Sequence, residues 1–299
     1  MERCLLKNIL VIGGTRFFGR KLVELLIEDG HNVSIITRGE SGNPFGDKVE
    51  HILVDRINKG ELSKKVEGRF FDIVFDNICY SPNDAYDFCE IFNGKIGKLV
   101  FTSTLSTYEM DGEIKKETDF DPYHYEIQIG NREDFSYGEG KRLAEAVFYK
   151  YAQFPVVSVR FPIVMGEDDY TRRLHFHVER ILNEEEIAFV NLNAEMSFIR
   201  ASEAAQFLKW AGLTDIEGPY NATANGKIKL ADLIKLIEQV TGKTANVTFK
   251  ENGDNLSPYA VPMSWNMSNE KAKKAGFQFE NLQNWLKPLI EAIVLQQKF

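Results

Sequence analysis

Three cysteines in 299 residues are few, and Cys4, Cys79 and Cys89 never approach C-x-x-C spacing. That excludes a paired-cysteine metal or redox site and leaves reduced, buried thiols. Histidines number five, and His175 and His177 fall two apart, so on a helix they point to opposite sides and cannot chelate one ion. Glu184-Glu185-Glu186 reads as a charged loop, so no metal is expected. An excess of basic residues is also missing. The balance of 36 Lys and Arg against 44 Asp and Glu gives a net charge of -8, which argues against a surface built to neutralise nucleic-acid phosphates in bulk. Small molecules are the expected partners. No apolar run approaches a membrane span, and the start, MERCLLKNILVIGG, is broken by Lys7-Asn8 with no small-residue cleavage site after it. The expected compartment is the cytoplasm, where the sequons at Asn221 and Asn246 carry no sugar. Low-complexity linkers and repeats are lacking, and the length allows a sizeable core in two lobes or one large α/β domain.

What is present is organised around Lys7 to Arg20, KNILVIGGTRFFGR. Asn8 to Ile12 is a short branched apolar run, glycines end it, and Phe18, Leu22, Val23, Leu25 and Leu26 start a helical period. The helix closes at Asp29-Gly30, and Asn32 to Thr37 supplies a second strand, which completes a βαβ unit. In such a unit Gly13 lets the chain turn, Gly19 lets helix and strand approach, and the free N–H groups at the helix start attract pyrophosphate. The usual spacing is G-x-G-x-x-G or G-x-x-G-x-x-G, and here Arg16 stands at the middle glycine of the second form.

Further apolar runs follow at Val49 to Val54, Asp72 to Asn77, Lys98 to Ser103 and Val156 to Phe161, alternating with helical or polar sequence. The alternation predicts an α/β fold with a Rossmann-type, doubly wound parallel sheet. Ser81-Pro82-Asn83 starts a helix that stops at Asn93-Gly94, and Phe135 to Tyr151 forms a long one. After Phe161 the pattern changes to short strands and three helical stretches. This places a dinucleotide-binding domain over 1–161 and, over 162–299, mainly a smaller C-terminal α/β substrate lobe with segments returning to the sheet. Tyr137 and Lys141 are four apart on the long helix, so they emerge on one face. A phenol of pKa ~10 needs a shift of ~3 units, about 4 kcal/mol, to work as an acid and base near neutrality, and a fixed ammonium supplies part of it. A core aromatic beside a solvated lysine has the same spacing.

The glycine turn, the strand end Thr102-Ser103-Thr104-Leu105-Ser106-Thr107-Tyr108 and Tyr137-x-x-x-Lys141 together resemble extended short-chain dehydrogenase/reductases of the NAD-dependent epimerase/dehydratase family. Arg160-Phe161-Pro162, Pro219-Tyr220-Asn221-Ala222, Leu230 to Gly242 and Asn269 to Phe277 extend the resemblance over nearly the whole chain. GGTRFFG with Asp76-Asn77 and Tyr80 is similar to the atypical branch that includes chloroplast stem-loop-binding proteins. The resemblance implies an NAD(P)-dependent enzyme in which Tyr137 is the general acid/base, Lys141 holds the nicotinamide ribose and lowers the phenol, and Thr104 orients the substrate oxygen. A strand-end threonine bonded to backbone is the alternative for Thr104.

It also implies that Gly13, Thr15, Arg16, Phe17, Phe18 and Gly19 line the pyrophosphate, that Ser103 joins the cofactor contacts, and that Asp55-Arg56 meet the adenine edge. Asp55 as a helix cap is the other reading. Arg38, with Arg16, can clamp a 2'-phosphate and favours NADP. Alternatively Glu40 takes the ribose of NAD. Tyr80, Arg172 and Arg173 are candidate contacts to a nucleotide-linked sugar. Ser197 to Ala205, SFIRASEAA, departs from the family's F-I-H-V-D-D-V-A. Epimerisation and reduction stay open, and dehydration is disfavoured because no acid adjoins Thr104. A non-catalytic NAD(P)-sensing or RNA-binding protein on the same fold is the second reading. A homodimer through the helices of Asn83 to Asn93 and Phe135 to Tyr151 is the expected assembly.

Overall fold

The computed structural model describes residues 6–297, so Cys4 lies outside the described residues. Strands β1 (Asn8–Ile12), β2 (Asn32–Thr37), β3 (Glu50–Leu53), β4 (Ile73–Asp76) and β5 (Leu99–Thr104) form where the apolar runs predicted them. Helices α1 (Phe17–Glu28), α2 (Lys59–Lys65) and α3 (Pro82–Phe92) connect the first four strands and lead from β4 towards β5. Ser81 accepts from the Asp84 N–H and Pro82 opens α3, which are the chemical reasons that helix starts there. After β5 come the short strand β6 (Ile114–Lys115), helix α4 (Tyr137–Tyr151) and strand β7 (Val156–Phe161). Helix α4 begins two residues later than its periodicity suggests. Ser136 caps it by accepting from Glu139 N–H, and Phe135 is extended.

The second half contains strands β8 (Ile163–Met165), β9 (Glu186–Ala188), β10 (Glu195–Met196), β11 (Phe198–Arg200), β12 (Gly218–Asn221), β13 (Ile228–Lys229), β14 (Asn246–Thr248) and β15 (Asn266–Met267). Its helices are α5 (Arg173–Leu182), α6 (Ala201–Leu213), α7 (Leu230–Thr241), α8 (Glu270–Lys274) and α9 (Leu282–Gln296). These are five helices where the sequence suggested three. The short α8 has only five residues to carry a period, and α9 contains Pro288.

Seven strands form one parallel sheet in the order β12-β7-β5-β4-β1-β2-β3. One face packs on α1 and α6 through Leu22, Val23, Phe207 and Leu208. The other packs on α3 and α4 through Phe88, Phe92, Val147 and Phe148. Full burial of each such side chain contributes about 1.5–3 kcal/mol. Helix α6 and strand β12 therefore return to the first layer, while α5, α7 and α9 build a separate core around Val178, Leu233 and Trp285. The carboxyl ends of β1, β4 and β5 and the start of α4 face this second core. Open α/β sheets take ligands at such a crevice.

Candidate active site

The glycine turn decides how close a ligand can come. Gly13 has φ +82°, and a Cβ there would lie 2.7 Å from Ile78 Cγ2. A Cβ on Gly19 would lie 2.5 Å from the Gly13 carbonyl oxygen, so α1 can start this near β1 only with glycine. Arg16, at the missing glycine, has an extended backbone that any residue adopts. The left-handed conformation falls instead on Phe17, φ +51°, whose ring is anchored in the core. No side chain caps α1, which leaves its first N–H groups for an anion. Thr15 is half-buried on the turn, and Phe18 packs on Phe161 with ring centroids 5.8 Å apart. Only the backbones of Phe17 and Phe18 are thus available to a pyrophosphate.

Asn77, just after β4, joins this turn to the next strand. Its Nδ2 donates to Gly13 O at 3.3 Å, and its Oδ1 accepts from the Thr102 hydroxyl at 2.7 Å. The sequence carried Asn77 only within the similarity to the atypical branch, without a role.

Thr104, Tyr137 and Lys141 come together at the ends of β5 and α4. The Thr104 hydroxyl is turned into a local cap, accepting from Ser106 N–H at 3.1 Å, which is the alternative kept open for it. Tyr137 is 52% exposed, with its ring along the open cleft. Desolvation by the cleft walls raises its phenol, and the Thr104 hydroxyl, Arg173 and Arg132 pull the other way. Lys141 is 1% exposed and donates to Cys79 O at 2.7 Å and Thr102 O at 2.8 Å, its ammonium over the rings of Tyr80 and Phe101. Burial brings that ammonium down to about 8. Two carbonyls hold the Lys141 ammonium, and the leading influences on the Tyr137 phenol are its burial, the Thr104 hydroxyl and Arg173.

Other expected contacts resolve differently. The Ser103 hydroxyl does not open to the cleft but donates to Glu145, which pairs with Arg160 at 2.6 Å in the core. Arg160 also donates to the Tyr108 hydroxyl, which donates to Asn221 on β12. The Arg56 side chain is buried and pairs with Asp76 at 2.6 Å and Asp84 at 3.1 Å, which leaves its backbone for an adenine edge. Asp55 accepts from Ile57 N–H at 3.2 Å, a local turn bond. Arg172 turns away to Glu179, whereas Arg173 stays on the cleft side with a bond to Thr171 at 3.2 Å. Arg38 and Glu40, the competing determinants of cofactor choice, pair with each other at 3.0 Å on the exposed surface. Arg16 Nε donates to Ser41 Oγ at 2.6 Å.

His175 bonds Glu167 O and His177 bonds Ser257, and no group of residues able to hold a metal occurs among the described residues. Cys79 and Cys89 are free and buried, and burial pushes the Cys89 thiol up to about 12. No helix among the described residues is long and apolar enough to cross a membrane. A cavity of about 640 Å³ opens at the opposite, amino ends of β1, β2 and β3, lined by Asn8, His31, Asn32, Glu50 and Arg69. It contains none of the candidate catalytic groups, which gather instead at the crevice by the carboxyl ends.

Residues 9–79 match the model of the NAD dependent epimerase/dehydratase family. The chain is 35% identical over 83 residues to the chloroplast stem-loop binding protein of 41 kDa b from Arabidopsis thaliana, across 23% of this chain and 22% of that protein. It is 22% identical over 272 residues to UDP-glucuronic acid decarboxylase 1 from Xenopus tropicalis, across 81% of this chain and 62% of the other. The chain thus spans less than two thirds of the length of either relative. Among solved structures, UDP-glucose 4-epimerase of Thermus thermophilus, in complex with NAD, superposes with a TM-score of 0.73 at 18% identity over 96% of this chain and 98% of that one. dTDP-glucose 4,6-dehydratase of Bacillus anthracis, also with NAD, gives 0.76 at 15% identity over 98% of each. The fold is therefore that of the extended short-chain dehydrogenase/reductase epimerases and dehydratases, as the motifs implied.

Proposed function

We propose that this protein is an NAD(P)-dependent enzyme of the epimerase or reductase type acting on a nucleotide-linked sugar or related polyol. The observation that carries the reading is the meeting, in one crevice, of the Gly13–Gly19 cradle and uncapped α1 with Tyr137, Thr104 and Lys141. The cradle fits a dinucleotide because both positions reject a Cβ. In this reading residues 1–161 hold the cofactor and 162–299 mainly the substrate, with α6 and β12 returning to the sheet. When bound, the nicotinamide would take or give hydride at a carbinol carbon.

Tyr137 moves the proton of that carbinol. Its raised phenol is the protonated form at neutral pH, so it is poised to give a proton to a substrate carbonyl oxygen. Thr104 orients the same oxygen once its hydroxyl leaves Ser106. Lys141 uses two of its three N–H donors on Cys79 O and Thr102 O and keeps the third for the ribose. NADP is favoured over NAD, because Arg38 and Arg16 are held only by an exposed pair and a single hydroxyl, and an exposed pair contributes about 0–1 kcal/mol. A homodimer through α3 and α4 completes the proposal, with Tyr86 and Tyr151 exposed on those helices, and sedimentation as a monomer at all concentrations rejects it.

Thermal unfolding with NADP and with NAD tests the core of this reading, since a ligand of the folded state raises the melting temperature by mass action. A shift with NADP exceeding that with NAD is expected. No shift with either removes the proposal.

A further inference from the structure

The acid/base tyrosine sits between two arginines that have no acid of their own. Most arginines of the described chain hold a carboxylate within 4 Å, at the surface as in Arg20, Arg38 and Arg142, or in the core as in Arg56 and Arg160. Among the described residues Arg16, Arg132, Arg173 and Arg200 hold none, and of these four Arg132 and Arg173 act on Tyr137. Arg132 lies on the loop before α4, its guanidinium 4.6 Å over the Tyr80 ring, and that ring is 6.3 Å from the Tyr137 ring. Arg173 opens α5 on the opposite wall and makes one side-chain hydrogen bond, to Thr171 at 3.2 Å. Both cations pull the Tyr137 phenol down, Arg173 more than Arg132, with Tyr170 acting between them in the opposite sense.

A guanidinium offers five N–H donors in a plane that matches a carboxylate or phosphate edge. Most of the donors on these two groups are unspent, and both cations act on the phenol that the substrate oxygen must meet. We infer that the substrate carries an oxyanion at its reacting end, in addition to any nucleotide diphosphate, and that Arg132 and Arg173 recognise it. This inference rests on the function proposed above. The diphosphate of a nucleotide sugar is attached at the anomeric carbon, so a second anion near the reacting carbinol is a distinct demand. A neutral hexose would leave both guanidinium groups without a counter-charge in the cleft, and a uronate or sugar phosphate would supply one.

The test is calorimetric titration of the cofactor-saturated protein. UDP-glucuronate is compared with UDP-glucose, which differs from it only at the carboxylate. Glucuronate and glucose 6-phosphate are compared with glucose at millimolar concentration to tell carboxylate from phosphate. At least one acid should bind about tenfold tighter than its neutral counterpart, the size of one charge-assisted hydrogen bond. That preference should disappear in Arg132→Gln and Arg173→Gln while cofactor affinity stays unchanged. Equal binding in every pair, no binding in any, or variants that weaken acid and neutral ligands alike would overturn the inference, the last outcome assigning the arginines to the diphosphate or to stacking. Failure of the cofactor itself to bind removes the proposed function and this inference with it. Cofactor binding without discrimination removes the inference alone.

Discussion

Tyr137 and Lys141 divide one task between them, and their surroundings separate the two roles. The phenol is raised by the cleft walls, while the ammonium is buried against two carbonyls and lowered to about 8. Tyr137→Phe removes only a proton donor, so turnover should fall by about 10²–10⁴ with the cofactor-induced thermal shift intact. An unchanged rate would reject the assignment. Lys141 keeps its charge below about pH 8 and loses it as the pH rises through that value. The KM for the cofactor should therefore rise above pH 8, and the rise should vanish in Lys141→Met, whose KM is high throughout. Arg16 and Arg38 bear on selectivity rather than rate. Each changed to Ala should weaken NADP by about 10- to 100-fold, the value of a charge-assisted bond, with NAD affinity nearly constant in the same titration.

At the scale of elements, the loop after β4 is held by one buried cation. Arg56 joins Asp76 at the end of β4 to Asp84 in the first turn of α3, and Asp84 also accepts from the Tyr80 N–H. Cys79, within that loop, offers the carbonyl that holds Lys141. Removing Arg56 leaves two carboxylates buried without a counter-charge. Arg56→Met should cost about 3–5 kcal/mol in urea unfolding, and adding Asp76→Asn should recover part of it. A single-variant loss below 1 kcal/mol would show that water reaches the carboxylates. The Gly13–Gly19 contact is as restrictive, since Gly19→Ala drives a Cβ into a backbone oxygen that cannot yield. The crossing of β1 and α1 was readable from the glycines, and the left-handed backbone at Phe17 was not, because a dihedral angle has no side-chain period.

For the molecule as a whole, two cores meet at the crevice, and the second contains a titratable group. His177 on α5 is buried between Tyr259 and Phe189, bonded to Ser257, and burial takes its pKa down to about 4. A basic group lowered in the folded state binds its proton more readily when unfolded, so its stabilisation is full above pH 6.5 and is lost as the pH falls towards 4. About 3 kcal/mol is at stake over that window. Chemical unfolding at pH 7 and pH 4.5 should show the wild type losing more stability than His177→Phe, and equal losses would place the acid sensitivity elsewhere. The parallel sheet itself was legible apart from β12, because its other strands are short apolar runs between glycine or polar breaks. The return of α6 and β12 to the first layer was foreseen only as unspecified segments, since Gly218-Pro219-Tyr220-Asn221 has no apolar alternation to declare which sheet it joins.

By itself the amino-acid sequence determined the order of the strands and helices of the first layer up to β7, the glycine turn between β1 and α1, and the pairing of Tyr137 with Lys141 on one helical face. These follow from residue type and spacing over a few positions, where sterics and periodicity act. Only the tertiary structure decided which polar groups meet: Arg56 with Asp76 and Asp84, Ser103 with Glu145, Lys141 with the carbonyls of Cys79 and Thr102, and Arg132 over Tyr80. Those partners are 20 to 62 positions apart. They are selected because a buried charge or hydroxyl must find a counterpart wherever the folded chain brings one, and no local pattern records that requirement.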